Sequence, residues 1–271
     1  MFRAAVTMNQ LQKKIDIIGN NLANSETTGY KSRDANFSSL LFQQIDHMTA
    51  PANREGRLTQ EGLRIGSGAK LGAINNNNTP GSITETDRVL DTALLKANHL
   101  FPIQVNENGT SETRFTRDGA FYLNPVNHNQ DVMLTTKTGD PVLGENGPIV
   151  FDKEFDAITI QSTGDIILKR GNQTEQVGRI AVVEAARPQL LEAAGGNTFR
   201  LAAGQNQDNI DEIISPQEAN VSVLKSNALE NSNVDMSKQM SDLLMAQRSY
   251  QLNARTISMS DQMSGLINQL R

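Results

Sequence analysis

The chain has 271 residues, enough for one large domain or two of ordinary size, with 37% hydrophobic and only 4% aromatic residues. The absence of cysteine excludes disulfides, thiol catalysis and thiolate metal sites. The net charge of −5 comes from the middle of the chain, whereas both ends are nearly neutral, which argues against nucleic-acid binding and favours ends that pack against protein.

An amphipathic N-terminal helix is predicted by apolar residues that recur at alternating spacings of three and four. These residues, the N-terminal seam, are Met8, Leu11, Ile15, Ile18 and Leu22. A helix packed on its own domain would show the same pattern, but the weakly charged opposite face favours further packing. The polar stretch 24–29 ends the helix, and Gly29 can take positive φ. We therefore assign residues 1–31 to an N-terminal assembly helix.

No apolar run approaches the ~18 residues of a membrane span, and no signal-peptide hydrophobic region follows Arg3. The sequence therefore predicts a protein without a transmembrane segment. Such a protein is either cytoplasmic or leaves the cell without a cleaved signal.

The middle of the chain divides into an arm and a β-domain. Residues 32–81 are glycine-rich and polar, which predicts an extended arm or linker. Residues 82–215 show short apolar runs between turn signals, which predict an antiparallel sandwich or a barrel-like domain. The turns are Asn108-Gly109, Asp118-Gly119, Thr138-Gly139-Asp140, Asn146-Gly147, Thr163-Gly164-Asp165 and Arg170-Gly171-Asn172. The clearest strands are 121–123, 157–160, 166–168 and 179–183. Residues 204–216 are predicted to form a polar connector.

A second assembly helix is predicted within residues 216–271. Ser232 and Asp235 resemble a capping box, so the helix is expected to begin near Asn233 and to run almost 60 Å at ~1.5 Å per residue. Its apolar residues at helical spacing are Met236, Met240, Leu243, Leu244, Tyr250, Ala254, Ile257, Met263, Leu266, Ile267 and Leu270. A helix this long needs a long partner, and only the N-terminal helix qualifies. The two are predicted to pair as a coiled coil.

Polar residues interrupt the apolar face of this helix. Gln247, Tyr250, Ala254, Ile257 and Asp261 share one side. Polar residues inside a seam can fix register and partner choice. The same spacing is equally compatible with Gln247 and Asp261 at solvent-facing edges of the seam.

Both helices are expected to be disordered in the free monomer. Burial of a single seam does not offset the conformational entropy lost on ordering the backbone, and isolated helices are marginal in water. Strong protection of amides 8–22 or 240–267 from hydrogen exchange in the monomer would contradict this prediction.

The residues that usually carry chemistry form no constellation. His47, His99 and His128 are scattered, and no nucleophile elbow or phosphate-binding loop is present. We therefore predict no enzyme activity, no metal and no cofactor. A structural assembly protein is favoured, and a secreted binding module that oligomerises through its helices is the alternative.

Five motifs carry a family resemblance. At the N-terminus they are Gly19-Asn20-Asn21-Leu22-Ala23-Asn24 followed by Thr27, Gly29, Tyr30 and Lys31. In the middle they are Phe115-Thr116-Arg117-Asp118-Gly119-Ala120-Phe121 and Gly139-Asp140-Pro141-Val142-Leu143-Gly144. At the C-terminus they are Leu229-Glu230-Asn231-Ser232-Asn233-Val234-Asp235 and the stretch 246–255, continued by Ile257, Asp261 and Met263. Over nearly its whole length the chain resembles the bacterial flagellar rod, hook and hook-associated axial proteins.

The resemblance implies a structural component of the flagellar basal-body rod that assembles with itself and with other rod and hook proteins. It also implies export by the flagellar type III apparatus without signal cleavage, a place outside the cytoplasmic membrane, and terminal helices that form the core of a helical tube. The N-terminal assembly residues are the seam together with Asn21, Asn24 and Gly29. The C-terminal assembly residues, the C-terminal seam, are Met240, Leu243, Leu244, Gln247, Arg248, Tyr250, Asn253, Ala254, Ile257, Asp261 and Met263.

By length the chain is most similar to the distal-rod type or to a close paralogue, and a hook-like axial protein is the alternative. It departs from the usual family pattern at Ser25-Glu26 and at the stretch 96–101. These departures bear on the position in the rod and not on membership of the family.

Overall fold

The computed structural model describes residues 2–39, 42–45, 63–66, 69–107, 109–201, 213–216 and 221–269. Strands account for 42% of the chain and a helix lies at each end, which confirms a mainly β protein with terminal helices. The chain forms two compact units. The helical unit contains Met1–Ala23, Arg33–Asn75 and Asp235–Arg271, and the central unit contains Asn24–Ser32 and Asn76–Val234.

The bounds of the elements are as follows. The helices are α1 (Phe2–Ala23) and α2 (Met236–Gln269). The first eleven strands are β1 (Arg33–Ser39), β2 (Phe42–Ile45), β3 (Leu63–Gly66), β4 (Ala69–Asn76), β5 (Ile83–Glu85), β6 (Thr92–Leu94), β7 (His99–Glu107), β8 (Thr110–Thr116), β9 (Tyr122–Val126), β10 (Asp131–Thr135) and β11 (Leu143–Gly144). The others are β12 (Gly147–Pro148), β13 (Val150–Asp152), β14 (Ala157–Ile160), β15 (Asp165–Arg170), β16 (Gln173–Arg179), β17 (Val183–Ala185), β18 (Leu191–Gly195), β19 (Thr198–Leu201), β20 (Ile214–Pro216), β21 (Leu224–Ser226) and β22 (Ala228–Glu230).

The helical unit combines both helices with the strands of the predicted arm. Strand β1 pairs with β4, and β2 pairs antiparallel with β3. Within its described residues, the region 32–81 that the sequence indicates as an extended arm therefore contains paired strands.

Neither described helix combines the length and the apolar character that a membrane span requires.

The central unit is built from several antiparallel sheets. The largest has the order β18-β19-β8-β7-β17-β20, and two three-stranded sheets have the orders β13-β10-β9 and β14-β15-β16. Two further pairs, β22 with β5 and β21 with β6, join the beginning of the unit to its end. Because every sheet among the described strands has two free edges, none of them closes into a barrel. The sandwich arrangement stays a prediction.

The core of the central unit is a continuous apolar cluster. Phe101 and Phe121 are fully buried and meet edge to face, with ring centroids 5.1 Å apart. Leu134, Ile166 and Leu168 are also fully buried in the same cluster. These residues lie on strands of three different sheets or directly beside them, so their packing holds the sheets together.

The strand predictions are confirmed at three places and wrong at one. Strand β14 matches 157–160, β15 contains 166–168, and β9 begins inside 121–123. The predicted strand 179–183 is wrong, because β16 ends at Arg179 and β17 begins at Val183. Ile180 and Val182 are buried in the connection between them. A buried connection needs the same apolar side chains as a strand, so the apolar run could not distinguish the two.

The predicted turn at Asp118-Gly119 is also wrong. These residues form no turn, and Gly119 instead lies against strand β6. The Thr92 N–H donates to the Gly119 carbonyl at 3.0 Å, and a Cβ on Gly119 would lie only 1.7 Å from the Thr92 carbonyl oxygen. The glycine is therefore required for close backbone approach, which local sequence does not reveal.

Helix boundaries agree with the sequence at one end of the chain and differ at the other. Helix α1 ends at Ala23, as the polar stretch after it predicts. Helix α2 begins at Met236, three residues later than expected, because Asp235 is the N-cap and its Oδ1 accepts the Lys238 N–H at 3.1 Å. Most of the predicted connector 204–216 lies outside the described residues, and its end, 214–216, is strand β20.

Candidate functional site

The first candidate site is the pair of terminal helices. Helices α1 and α2 pack along one another. Asn21, near the end of α1, donates through Nδ2 to Oε1 of Gln239, the fourth residue of α2, at 3.2 Å. Because the end of one helix meets the start of the other, the two helices run antiparallel.

The helices differ in length, which leaves part of α2 uncovered. Helix α1 has 22 residues and α2 has 34. At about 1.5 Å per residue, α2 is about 18 Å longer than α1. From Asp261 onward every residue of α2 whose side chain is described is exposed. The C-terminal end of α2 therefore extends beyond the helix that covers its beginning.

The N-terminal seam faces inward in the helical unit. Leu11 and Ile18 are buried, while Met8, Ile15 and Leu22 are half-buried. Among the motif residues, Asn21 is buried with 1% of its surface exposed, and Asn24 is half-buried. The structure thus places the five seam residues and Asn21 on the covered side of α1, while Asn24 and Gly29 belong to the central unit, and their role in assembly stays a prediction.

The C-terminal seam is much less covered. Half-buried members are Leu243, Tyr250, Asn253, Ala254 and Ile257. Exposed members are Met240, Leu244, Gln247, Arg248, Asp261 and Met263. The buried residues of α2 are instead Gln239 and Ala246, seven positions apart, and the same stripe continues through the half-buried Asn253 and Ser260. The fully buried positions of α2 are thus small or polar, and Leu243, Tyr250 and Ile257 are half-buried beside them.

A second stripe on α2 is apolar and faces solvent. It consists of Met245, Leu252, Met259 and Leu266, which we call the outer stripe. Each is seven residues from the next, and their exposed fractions lie between 55% and 63%. Sequence reasoning missed this stripe because apolar residues lie all around α2, so that periodicity alone did not single out one face. An exposed apolar patch of this kind marks an interaction surface.

The second candidate site lies inside the central unit, where three charged side chains meet. The Glu230 carboxylate contacts Lys31 Nζ through Oε1 at 2.7 Å. Its Oε2 accepts the Arg117 Nε–H at 2.8 Å and lies 2.7 Å from Nη2 of the same guanidinium. Each of the three side chains has at most 2% of its surface exposed. We call these residues the buried charge cluster.

Backbone carbonyls accept from further donors of the cluster. Arg117 Nη1 lies in hydrogen-bond contact with three carbonyl oxygens, those of Lys96, Ala97 and His99, at 3.0, 2.6 and 2.8 Å. Lys31 Nζ also donates to the Thr79 carbonyl at 2.7 Å. Two cations thus share one carboxylate, and carbonyl dipoles balance the excess positive charge.

Burial lowers the pKa of Lys31, and the nearby Arg117 guanidinium lowers it further. The hydrogen bond and the negative charge of Glu230 oppose this shift. The ammonium of Lys31 therefore depends on Glu230 for its stability in the folded protein.

The motif residues around the cluster hold the two ends of the central unit together. The Gly29 N–H donates to the Glu230 carbonyl at 2.8 Å. Gly29 has φ +65°, and a Cβ there would lie 2.6 Å from the Arg117 carbonyl, so both conformation and space require glycine. Asn233 accepts the Ser32 N–H through Oδ1 at 2.7 Å and donates through Nδ2 to the Asn77 carbonyl at 2.8 Å. The N-terminal, central and C-terminal motifs therefore meet at one place.

Sequence reasoning did not select the buried charge cluster. Lys31, Arg117 and Glu230 stand inside the quoted motifs, but only Gly29 among their neighbours was chosen as a site residue. A usable signal existed, because each of these charged residues stands in a motif that otherwise consists mostly of turn-forming and small residues. That signal could not show which of these charged residues, far apart in the sequence, pair with one another.

In the described part of the chain, no three His, Cys, Asp or Glu side chains lie where they could hold a metal ion. His99 is fully buried, His128 is exposed, and His47 lies outside the described residues.

Comparison with known proteins connects both sites to one family. Residues 3–31 match the sequence profile of the flagella basal body rod protein, and residues 225–270 match that of the flagellar basal body rod FlgEFG protein C-terminal domain. The chain is 42% identical to the flagellar hook-basal body complex protein FlhP of Bacillus subtilis, over 100% of this chain and 98% of that protein. It is 31% identical to the flagellar basal-body rod protein FlgG of Agrobacterium fabrum, over 98% and 96%. To FlgG of Bacillus subtilis it is 30% identical, over 94% and 92%.

Proposed function

This chain belongs to the flagellar basal-body rod protein family and is a structural component of the rod in the flagellar basal body, and we propose that it polymerises there through its terminal helices. The observation that carries the proposal is the outer stripe of α2. A helix that exposes Met245, Leu252, Met259 and Leu266 on one side needs further protein to cover that side.

The outer stripe and the stripe of Gln239, Ala246, Asn253 and Ser260 occupy different sides of α2. Met245 follows Gln239 by six residues, which separates the two stripes by about 120° around the helix. Helix α2 can therefore contact α1 and a neighbouring subunit at the same time. Exposed members of the C-terminal seam, Met240, Leu244 and Met263, enlarge the surface that remains for the neighbour.

A polymer that assembles through the outer stripe grows in one direction. The outer stripe of one copy would pack on a different surface of the next copy, and a contact between unlike surfaces builds a helical filament when it does not close into a ring. Other rod and hook proteins of the same family would be joined by the same kind of contact. The polymer forms the axial shaft.

Folding of the helices is coupled to this assembly. The helices gain most of their stability when neighbouring subunits cover their apolar surfaces, so we infer that they are disordered before assembly. A disordered chain can pass through the narrow channel of the type III export apparatus. The protein then reaches its place outside the cytoplasmic membrane without cleavage of a signal peptide.

Similarity favours an FlhP-like paralogue of the distal-rod protein. Within one organism, Bacillus subtilis, the chain is 42% identical to FlhP and 30% identical to FlgG. We therefore propose that it occupies a segment of the rod related to, and distinct from, that of FlgG.

The decisive experiment compares two single substitutions on α2. Leu252→Asp puts a charge in the outer stripe, whereas Gln251→Asp puts the same charge on the neighbouring exposed residue. We expect L252D to abolish incorporation into basal bodies and Q251D to retain it, as measured by immunoblotting and electron microscopy of isolated basal bodies. Equal incorporation of the two variants would contradict assembly through the outer stripe.

A strain that lacks the protein tests the rod assignment itself. Electron microscopy of its basal bodies is expected to show a rod that stops short and carries no hook. A complete rod and hook in that strain would show that the protein is not an essential rod segment.

A further inference from the structure

The methionines of this chain are concentrated on α2. Five of the nine in the sequence fall within the 34 residues of this helix. They are Met236, Met240, Met245, Met259 and Met263. Their exposed fractions lie between 48% and 60%, whereas Met8 of α1 and Met133 of β10 are half-buried. Within the described part of the chain, the exposed thioethers therefore all lie on the helix that carries the outer stripe.

Three of these methionines lie on the same side of α2. Met245 and Met259 are members of the outer stripe, in which they alternate with leucine. Met263 follows Met245 by 18 residues, about five full turns, and therefore lies on the same side. We call Met245, Met259 and Met263 the outer methionines. Met236 precedes Met245 by nine residues, about two and a half turns, so it lies on the opposite side of the helix.

Methionine sulfur is the most readily oxidised side-chain group of this chain. The sequence contains neither cysteine nor tryptophan, and exposure favours methionine oxidation. With hydrogen peroxide, the sulfur lone pair attacks one peroxide oxygen, so that an S–O bond forms and the O–O bond breaks. The sulfur loses two electrons and becomes a sulfoxide, and the second oxygen leaves with both protons as water.

We propose that the outer methionines are an oxidation site through which peroxide prevents assembly of the free subunit. The inference rests on the proposed function and adds a means of regulation to it. Oxidation gives each thioether a polar S=O group. The leucine and methionine side chains of the outer stripe provide no hydrogen-bond donor, so burial of this oxygen against a neighbouring subunit is costly. A subunit that is already in the rod is covered there and is protected.

The first experiment compares three full-length chains, each produced with and without hydrogen peroxide and measured by immunoblotting of isolated basal bodies. Peroxide should lower incorporation of the unaltered chain at least about 5-fold, the effect of one buried polar group without a partner. The triple variant Met245→Leu, Met259→Leu, Met263→Leu keeps the surface apolar without sulfur and should be incorporated equally with and without peroxide. Met236→Leu, the matched control on the other side of α2, should be as sensitive as the unaltered chain. Damage by peroxide to other proteins affects all three chains alike.

The second experiment needs no variant. Peptide mass spectrometry of the unaltered chain compares methionine sulfoxide in basal bodies with methionine sulfoxide in the chain that is left unassembled. Sulfoxide at the outer methionines should be at least about 5-fold lower in the basal bodies. Met236 should carry the same fraction of sulfoxide in both pools.

Three outcomes would overturn the proposal. They are equal loss of the triple variant and the unaltered chain under peroxide, normal incorporation of chains that carry sulfoxide at the outer methionines, and no sulfoxide at these positions in the unassembled chain. If the triple variant fails to assemble even without peroxide, the mass-spectrometric comparison decides. The proposed function fails separately, through equal incorporation of L252D and Q251D.

Discussion

The central unit buries charged side chains, whereas the helical unit exposes apolar ones. In the central unit even charged residues are buried, and Lys31, Arg117 and Glu230 find their partners within the same unit. In the helical unit α2 leaves four heptad-spaced apolar residues exposed. The central unit thus pairs these charges within itself, whereas the proposed function needs other chains to cover the outer stripe of the helical unit. Stability and assembly should therefore respond to different substitutions.

The largest effect is expected from Ile15→Asp. This half-buried residue of the N-terminal seam would place a charge in the helix interface, so assembly into the rod should be lost. The thermal transition of the central unit, followed by circular dichroism of the purified chain, should stay at the same temperature. Asn9→Asp, on the exposed face of α1, is the control and should still assemble. A lower transition temperature in I15D would contradict the prediction that the stability of the central unit is independent of the helix interface.

The next largest effect is expected from Glu230→Gln in the central unit. The amide cannot accept from both cations, so Lys31 and Arg117 would remain buried without a counter-charge. The substitution should destabilise the central unit by about 3–5 kcal/mol, measured by chemical denaturation. Glu85→Gln removes a carboxylate from the exposed pair with Lys225 and should cause no measurable change. Equal stability of E230Q and the unaltered chain would contradict the importance of the cluster.

A smaller effect concerns pH and His99. Burial lowers the pKa of this histidine below its usual 6.5; Lys96 and Arg117 lower it further, and Glu184 opposes them. Because the folded pKa lies below the unfolded one, the full stability is present above pH 6.5 and is lost as the pH falls through the folded pKa.

The slope for this single group is at most about 1.4 kcal/mol per pH unit. His99→Phe should flatten the dependence of the unfolding free energy on pH in this window, whereas His128→Asn, at an exposed position, should not. An unchanged slope in H99F would show that the buried imidazole is not the responsible group.

Much of the fold could be predicted from local sequence. The heptad spacing of Met8 to Leu22 and the polar stretch after Ala23 specify α1, because helix periodicity and helix termination are local properties. Short runs of β-branched and apolar residues between turns likewise specify β14 and β15. The family resemblance adds the rod assignment, which the relatives support over the whole chain.

The sequence by itself therefore determined the two terminal helices, the mainly β middle and the family. Only the tertiary structure decided which face of α2 is covered, that Asn21 meets Gln239, and that Glu230 lies between Lys31 and Arg117. The physical reason is the range of the interactions. Periodicity and turn chemistry act over a few residues, whereas these pairings join positions more than a hundred residues apart in the chain. Such pairings exist only after the intervening chain has folded and brought its ends together.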